Sequence, residues 1–358
     1  MKIVSVSSRT EDFGLLRPYA IAFAQTESVE NVVLEVRTAD GKVGLGAAAP
    51  EARVTGETHE ACAAALDARV LSWLVGRDVR ETARLCREAT EHMLDTPAAL
   101  AALDMALHDL FAQHLGKPLV DILGRAHEAL PTSITIGIKD LEKTLAEAEE
   151  YLDRGFTILK VKTGLNLDED LERLRRLREK VGPRVLIRAD ANQGYTPEET
   201  ARFFERSVPL DLEFVEQPVR ADAVAAIRAL PDPWRQRIAA DESMHDEQDA
   251  LELSAPAPAC GIFNIKLMKC GGIRPALRIA SIAETAGIDL MWGCMDESRI
   301  SIAAALHAAF ASPATRYLDL DGSLDLARDV ADGGFVLEGG VMRTTEAPGL
   351  GLRPKSGR

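Results

Sequence analysis

The sequence predicts an α/β protein in which a closed barrel of alternating strands and helices follows an N-terminal lobe. Two observations carry this prediction. From Pro131 onwards, eight short β-like runs alternate with polar or amphipathic helical segments. Before that point the chain reads first as paired strands and then as alanine-rich helices. The length of 358 residues fits a barrel with an accessory lobe better than one small domain.

The N-terminal lobe is predicted to contain both strands and helices. Residues 29–49 hold two apolar runs around the turn TADGK, which is typical of a β-hairpin. Residues 96–116 carry apolar side chains at helical spacing and stop at Gly116, which is soon followed by Pro118. We therefore expect an α+β domain over residues 1–125.

The barrel is predicted from strand-like runs that recur along the middle of the chain. Strands that alternate with helices form a parallel sheet, and eight of them can close it. The runs are residues 134–138, 157–162, 184–190, 212–216, 237–241, 262–266, 288–292 and 316–321. We expect the barrel to cover residues 126–324 and the glycine-rich tail, 325–358, to return to the first lobe.

Composition argues against several classes of function. A net charge of −14 does not suit binding to nucleic acid, which needs a basic patch. No apolar run approaches the ~18 residues that cross a bilayer, and the N-terminus lacks a signal-peptide core. The 5 cysteines are scattered without zinc-binding spacing. We expect a cytoplasmic protein that binds neither membranes nor nucleic acid.

Charged side chains recur at the carboxyl ends of successive predicted strands. Asp190, Glu216, Asp241 and Lys266 are separated by 26, 25 and 25 residues, one strand–helix unit each time. A barrel gathers these strand ends around one mouth, where active sites lie. Three carboxylates on neighbouring strands are therefore expected to point into one cavity.

Crowded carboxylates need a counter-ion, because like charges cannot all stay ionised together. A set of oxygen donors favours Mg²⁺ over zinc, and Mn²⁺ can substitute. A single strand-end aspartate is more often the N-cap of the next helix. Three acids at the same position of three successive strand–helix units favour a metal site. The candidate ligands are Asp190, Glu216 and Asp241.

Lysines are predicted on both sides of these carboxylates. Lys160 and Lys162 lie two residues apart on one strand, so both face the inside of the mouth. Lys266 arrives from four strands further round and is favoured over Lys269, which lies past its strand. Two amines on opposite faces of one carbon can invert it. We expect nearby cations to lower the lysine pKa values towards neutrality, which suits general bases.

The motifs ILKVKTG, RADANQGY, FVEQP, ADES and NIKLMKCGG resemble those of the muconate-lactonising subgroup of the enolase superfamily. The resemblance covers essentially the whole chain. It implies a modified TIM barrel, (β/α)7β, with an N-terminal α+β capping domain. It also implies Mg²⁺ on the three carboxylates, with Lys162 and Lys266 as acid/base catalysts. Lys160 would help to neutralise an enolate, and Asn192 would orient the first metal ligand.

Within that subgroup, the segment YLDLDG at 317–322 resembles the Asp-x-Asp signature of dipeptide epimerases. By that resemblance Asp319 and Asp321 would hold the ammonium of a dipeptide, because two carboxylates complement one NH₃⁺. Thr135 matches a position that touches substrate. The implied reaction is Mg²⁺-dependent 1,1-proton transfer at the α-carbon of the C-terminal residue. The resemblance also implies a homo-oligomer.

The choice of dipeptide depends on two further acids. Relatives that act on Ala-Glu often place an arginine in the capping-lobe loop, and the matching stretch here, 20–28, contains none. Glu51 and Asp296 lie where specificity is usually set. We hypothesise that they attract Lys or Arg side chains, although Arg53 and Arg299 could neutralise them.

Other functions stay open at this point. The same lysines and metal serve L-Ala-D/L-Glu epimerases, cycloisomerases, o-succinylbenzoate synthases and N-acylamino acid racemases. Asp319 and Asp321 argue against those whose substrates carry no free ammonium. A non-catalytic barrel that binds a metal or ligand is an alternative of another class, and it would tolerate the loss of either lysine.

Overall fold

The computed structural model describes residues 1–17, 19–21, 24–26 and 28–355. The stretch 20–28, whose lack of arginine bears on the substrate, lies partly outside the described residues, as does the end of the tail. None of the described helices combines the length and apolar character that a membrane crossing requires.

The N-terminal lobe packs helices against an antiparallel sheet. Its strands are β1 (Ile3–Asp12), β2 (Tyr19–Ile21), β3 (Ala24–Thr26), β4 (Glu30–Thr38) and β5 (Val43–Ala48), and its helices are α1 (His59–Ala65), α2 (Thr82–His92), α3 (Pro97–Leu115) and α4 (Leu119–Leu123). The main sheet has the order β1-β4-β5, and β2 pairs with β3. Helix α3 lies so close to β5 that a Cβ atom on Gly46 would be 1.9 Å from the Ala102 carbonyl oxygen. Only glycine permits this approach.

The barrel follows the short strand β6 (Leu130–Pro131). Its strands are β7 (Ile134–Ile136), β8 (Ile158–Lys162), β9 (Leu186–Asp190), β10 (Val215–Glu216), β11 (Ile238–Ala240), β12 (Ile262–Ile265), β13 (Asp289–Gly293) and β14 (Thr315–Asp319). All pair in parallel and in sequence order. A parallel bridge between Thr132 and Leu318 joins the last strand to the segment before the first.

Helices separate these strands up to β14. They are α5 (Leu141–Asp153), α6 (Leu167–Val181), α7 (Pro197–Ser207), α8 (Val224–Arg228), α9 (Asp232–Arg235), α10 (Glu247–Ser254), α11 (Leu267–Cys270), α12 (Ile273–Ala286) and α13 (Arg299–Ala309). Helix α6 shows why they form: the Asn166 side chain caps its first turn, and leucines at helical spacing, such as Leu167, Leu171 and Leu174, are buried. The predicted (β/α)7β barrel with an α+β cap is confirmed.

The tail contacts both the barrel and the N-terminal lobe. It contains β15 (Ala331–Gly333), β16 (Phe335–Glu338), β17 (Val341–Thr344) and β18 (Leu352–Pro354), and β17 pairs with β6. The Leu350 amide donates to Asp109 Oδ1 of α3 at 2.9 Å. The exact domain boundaries, at residues 125 and 324, stay predictions.

A buried cluster on α2 and α3 joins the lobe to the barrel. Cys86, Asp104 and His108 bring potential ligand atoms within 4.8 Å of one another. However, Asp104 Oδ1 accepts the amide of Ile273 at 2.7 Å, so Asp104 caps the barrel helix α12 from the neighbouring domain. This contact fixes the start of α12, the second of the two helices between the Lys266 strand and β13.

Candidate active site

The predicted site residues converge on a cavity of about 860 Å³ at the carboxyl ends of the barrel strands. The capping lobe contributes one wall of it, including Asn31 and Pro50. The predicted site residues that line it are Glu51, Thr135, Lys160, Lys162, Asn192, Lys266, Asp296, Asp319 and Asp321. The three candidate metal ligands lie beneath them and are buried.

Lys160 lies at the centre of the carboxylates. Its Nζ is 3.0 Å from Asp190 Oδ2, 2.8 Å from Glu216 Oε2 and 2.7 Å from Asp319 Oδ2. Burial alone would lower the pKa of Lys160, but the charges of these acids raise it well above its usual value. Lys160 therefore stays an ammonium and supplies positive charge to the cavity floor.

Lys162 lies on one flank of this cluster. Its Nζ donates to Asp190 Oδ2 at 2.7 Å and to Asn192 Oδ1 at 2.9 Å. The backbone amide of Asn192 donates to Asp190 Oδ1 at 3.0 Å. Asn192 thus touches the first candidate ligand through its backbone and the lysine through its side chain.

Lys266 lies on the other flank. Its Nζ donates to Asp241 Oδ2 at 2.7 Å. Burial opposes the charge, yet Asp241 and Glu216 raise the pKa of Lys266. Our expectation of lowered lysine pKa values is therefore wrong for Lys160 and Lys266, because the carboxylates outweigh burial and the repulsion between cations.

Lys269 does not line the cavity wall that Lys266 faces. Its side chain is fully buried, and its Nζ binds Asp241 Oδ1 at 2.5 Å and the Asp241 carbonyl oxygen at 2.6 Å. The two lysines therefore hold opposite oxygens of one carboxylate. This placement favours Lys266 over Lys269 as the group that can reach a substrate.

Asp319 and Asp321 line the cavity beside Lys160, and Asp319 shares that lysine with the candidate metal ligands Glu216 and Asp190. Asp319 accepts hydrogen bonds from Lys160 and, at 2.6 Å, from the Ser133 hydroxyl. Asp321 Oδ2 accepts the Thr135 backbone amide at 2.7 Å. Burial and the charge of Asp319 raise the pKa of Asp321 to about 7. An incoming ammonium would relieve this repulsion.

Glu51 and Asp296 line the cavity from different parts of the chain, together with Arg53. Glu51 Oε1 accepts the Arg53 backbone amide at 3.2 Å. The Asp296 carbonyl oxygen accepts the Asn31 side-chain amide at 3.3 Å. Arg299 instead donates to the Gly333 carbonyl oxygen at 2.9 Å and lies over the Phe335 ring.

Comparison with family sequence models identifies both parts of the chain. Residues 4–124 match the N-terminal domain of mandelate racemase and muconate lactonizing enzyme, and residues 143–357 match an enolase C-terminal domain-like model. The chain belongs to the mandelate racemase/muconate lactonizing enzyme family of the enolase superfamily. The resemblance inferred from the strand-end motifs is thus confirmed.

Characterised members of this family are closely similar along their whole length. The chain is 63% identical to the L-Lys-D/L-Arg epimerase of Methylococcus capsulatus over 98% of this chain and 99% of that protein. It is 56% identical to the L-Lys-D/L-Arg epimerase of Desulforapulum autotrophicum over 99% of each. A crystal structure of the Methylococcus dipeptide epimerase, complexed with Mg and the dipeptide L-Arg-D-Lys, superposes with a TM-score of 0.97 and covers 98% of this chain and 99% of that one.

The carboxylates of this family member fit a hard dication. The donor set is oxygen only, as Mg²⁺ prefers. Glu216 Oε2 is buried without a hydrogen bond from the described residues, since its 2.8 Å contact with Lys160 is an ion pair without hydrogen-bond geometry. Burial and the charge of Asp190 raise the pKa of Glu216 to about 8. Asp190, Glu216 and Asp241 can therefore hold Mg²⁺.

Several supporting residues were missed from the sequence. Asn264 Nδ2 donates to Glu216 Oε1 at 2.8 Å, and Arg188 Nη1 donates to the Leu318 carbonyl oxygen at 2.8 Å. Asn264 lies two residues before Lys266 and Arg188 two residues before Asp190, so alternation along the predicted strands could have found them. A Cβ on Gly293 would lie 2.5 Å from Asn264 Oδ1, so strand β13 needs glycine there.

Proposed function

We propose that this protein is a Mg²⁺-dependent dipeptide epimerase that acts on cationic dipeptides and inverts the α-carbon of the C-terminal residue. The observation that carries the proposal is the placement of Lys162 and Lys266. They emerge from β8 and from the end of β12, four strands apart in a sheet of 8, and hydrogen-bond to different carboxylates of one cluster. Amines half a barrel apart can reach opposite faces of a bound substrate.

The proton transfer uses these two lysines in opposite states. One enters as the neutral amine and takes the α-proton, and the other enters as the ammonium and returns a proton to the opposite face. Asp190, Glu216 and Asp241 would hold Mg²⁺, which when bound would supply electrostatic stabilisation of a substrate carboxylate. Lys160 adds a fixed positive charge where negative charge develops on that carboxylate.

The N-terminal ammonium of the dipeptide is assigned to Asp319 and Asp321. Both side chains line the cavity, and the Thr135 amide orients the Asp321 carboxylate. A cationic group between two acids gains charge-assisted hydrogen bonds. This assignment favours a dipeptide with a free N-terminus over an N-acylated amino acid.

The side chain of the substrate is assigned to Glu51 and Asp296. Both acids line the same cavity as the catalytic lysines. The two epimerases at 63% and 56% identity are named for lysine- and arginine-containing dipeptides. A charge-assisted hydrogen bond in such a cavity contributes roughly 1.5–3 kcal/mol, enough to select Lys or Arg over a neutral residue.

A panel of dipeptides in D₂O tests this function. The Mg²⁺-loaded protein is incubated with L-Lys-L-Arg, L-Ala-L-Ala and L-Ala-L-Glu, and products are read by mass spectrometry and chiral chromatography. We expect a gain of one mass unit and inversion at the C-terminal residue, fastest for the cationic dipeptide. Exchange with none of them would favour a cycloisomerase or a non-catalytic barrel.

A cytoplasmic location and a homo-oligomeric state are also proposed. Four of the cysteines among the described residues are buried thiols, and Cys294 is half-buried, which suits a reducing compartment. Light scattering on the purified protein tests the assembly, with a mass above that of the 38.8 kDa chain expected. Fractionation of the source cells tests the location.

A further inference from the structure

We infer that Glu242 is a positioning residue for Lys162 and acts through the side-chain amide of Asn192. Lys162 Nζ donates to Asn192 Oδ1 at 2.9 Å, and Asn192 Nδ2 donates to Glu242 Oε1 at 3.2 Å. The three side chains therefore form a chain from a buried acid to a catalytic lysine. This inference rests on the proposed function, in which Lys162 moves a proton.

The amide of Asn192 could face Lys162 in two ways. Its oxygen accepts hydrogen bonds and its NH₂ group donates them, and the two ends have almost the same shape. Facing an ammonium, only the oxygen end stabilises the contact. Glu242 enforces that orientation because its carboxylate accepts from the NH₂ end. Without an acceptor there, the amide can rotate and present donors to Lys162.

Glu242 is itself held in place by its neighbours in the chain. The backbone amides of Asp241 and Ser243 both donate to Gln217 Oε1, at 2.9 and 3.2 Å. These bonds fix the turn on which Glu242 stands. Glu242 is 8% exposed and lines the cavity, and its Oε2 accepts no hydrogen bond from the described residues.

The Lys266 flank is supported in a different way. Lys266 binds Asp241 Oδ2 directly, and Lys269 holds the other oxygen of that carboxylate. The charge of Glu242 also helps to raise the pKa of Lys266. Glu242 thus acts on Lys266 through its charge but on Lys162 through a hydrogen bond, and two substitutions separate these effects.

The experiment compares Glu242→Gln with Glu242→Met. Glutamine keeps an acceptor for Asn192 but loses the charge, whereas methionine loses both at similar volume. The readout is the rate at which each epimer of Lys-Arg exchanges its α-proton in D₂O before inversion. Lys162→Ala and Lys266→Ala first show which epimer depends on which lysine. Both variants lose the charge that acts on Lys266, so the difference between the two variants at the Lys162 face reports the hydrogen bond alone.

We expect Glu242→Met to lower the ratio of Lys162-face to Lys266-face exchange about tenfold, as the loss of one hydrogen bond to a charged group predicts. Glu242→Gln loses the same charge but keeps the acceptor, so its ratio should be at least about fivefold higher than that of Glu242→Met. Asn192→Ala should lower it as Glu242→Met does. In an Asn192→Ala background, Glu242→Met should change the ratio no more than Glu242→Gln does, because the hydrogen-bond effect passes through Asn192.

An unchanged ratio in Glu242→Met, or an equal fall in the glutamine and methionine variants, would overturn the inference. Circular dichroism checks the fold of each variant, and Glu242→Ala replaces the methionine variant if that one does not fold. Failure of the proposed function has a separate signature: the unsubstituted protein would then exchange neither epimer.

Discussion

We assign the same proton transfer to the lysines on the two flanks of the cavity, but different residues hold each lysine in place. Lys162 stands on a strand, and its side chain is 16% exposed and tied to Asp190 and Asn192. Lys266 follows its strand, its side chain is 10% exposed, and its Nζ donates a hydrogen bond to Asp241. Inversion of a carbon needs a proton carrier on each face, but the molecule does not need a symmetrical site to provide them.

This difference in hydrogen-bond partners predicts that proton transfer at one flank can be slowed without slowing it at the other. Lys162 and Lys266 hydrogen-bond to different carboxylates, Asp190 and Asp241, and Glu242 acts on Lys266 by its charge but on Lys162 through Asn192. Exchange of the α-proton needs one lysine and therefore reports on one flank. Inversion needs both lysines and reports on the two flanks together.

Removal of the metal should have the largest effect on the rate of α-proton exchange, and it should slow exchange at both flanks alike. Dialysis against EDTA leaves Asp190, Glu216 and Asp241 crowded and takes away the charge that stabilises the substrate carboxylate. We expect exchange of both epimers to fall below detection and to return with Mg²⁺ or Mn²⁺. Exchange that persists for one epimer in metal-free buffer would show that the flanks do not share one ion.

Loss of either lysine to which we assign proton transfer should separate the two sides of the cavity completely. Lys162→Ala and Lys266→Ala are each expected to slow inversion by about 10²–10⁴-fold, the usual contribution of a general acid or base. Each variant should still exchange the α-proton of one epimer, and the two variants should retain opposite epimers. Retention of the same epimer by both would contradict the assignment of lysines to faces.

Lys269→Met should damage the Lys266 flank and the fold together. It leaves Asp241 Oδ1 buried without its ion pair, and breaking a buried pair costs about 3–5 kcal/mol of unfolding free energy. We expect denaturant unfolding to show that loss and exchange at the Lys266 face to fall further than at the Lys162 face. Lys180→Met, which breaks the exposed pair with Glu149, is the control, at less than about 1 kcal/mol.

Asp296→Asn should affect both flanks equally and change only the choice of substrate. We expect kcat/KM for a Lys-ending dipeptide to fall about tenfold or more relative to an Ala-ending one, from the loss of a charge-assisted hydrogen bond. Asp222→Asn, in an exposed pair with Arg220, is the matched control. An equal change in kcat/KM for both dipeptides would show that Asp296 does not select the substrate side chain.

The sequence was enough to predict the barrel and the placement of the lysines and carboxylates, because strand order and alternation determine which side chains share a mouth. Strand lengths were less predictable. Residues 212–216 were expected as a strand, but β10 covers only Val215–Glu216, since its ladder with β9 and β11 spans only those residues.

Contacts between loops were not predictable from spacing. Glu242 and Asn192 meet although 50 positions separate them, and each lies past the end of its strand. Asp104 caps α12 from another domain, across 169 positions. Such pairs depend on how turns bend, as with the left-handed φ of 41° at Asn192, and a local pattern does not encode them.

The most direct test of the account is a crystal structure of the Mg²⁺-loaded protein with a Lys-Arg dipeptide. We predict that the Nζ atoms of Lys162 and Lys266 approach the α-carbon of the C-terminal residue from opposite faces, with Asp190, Glu216 and Asp241 on the metal. Both lysines on one face of that carbon, or a metal bound away from these carboxylates, would contradict it.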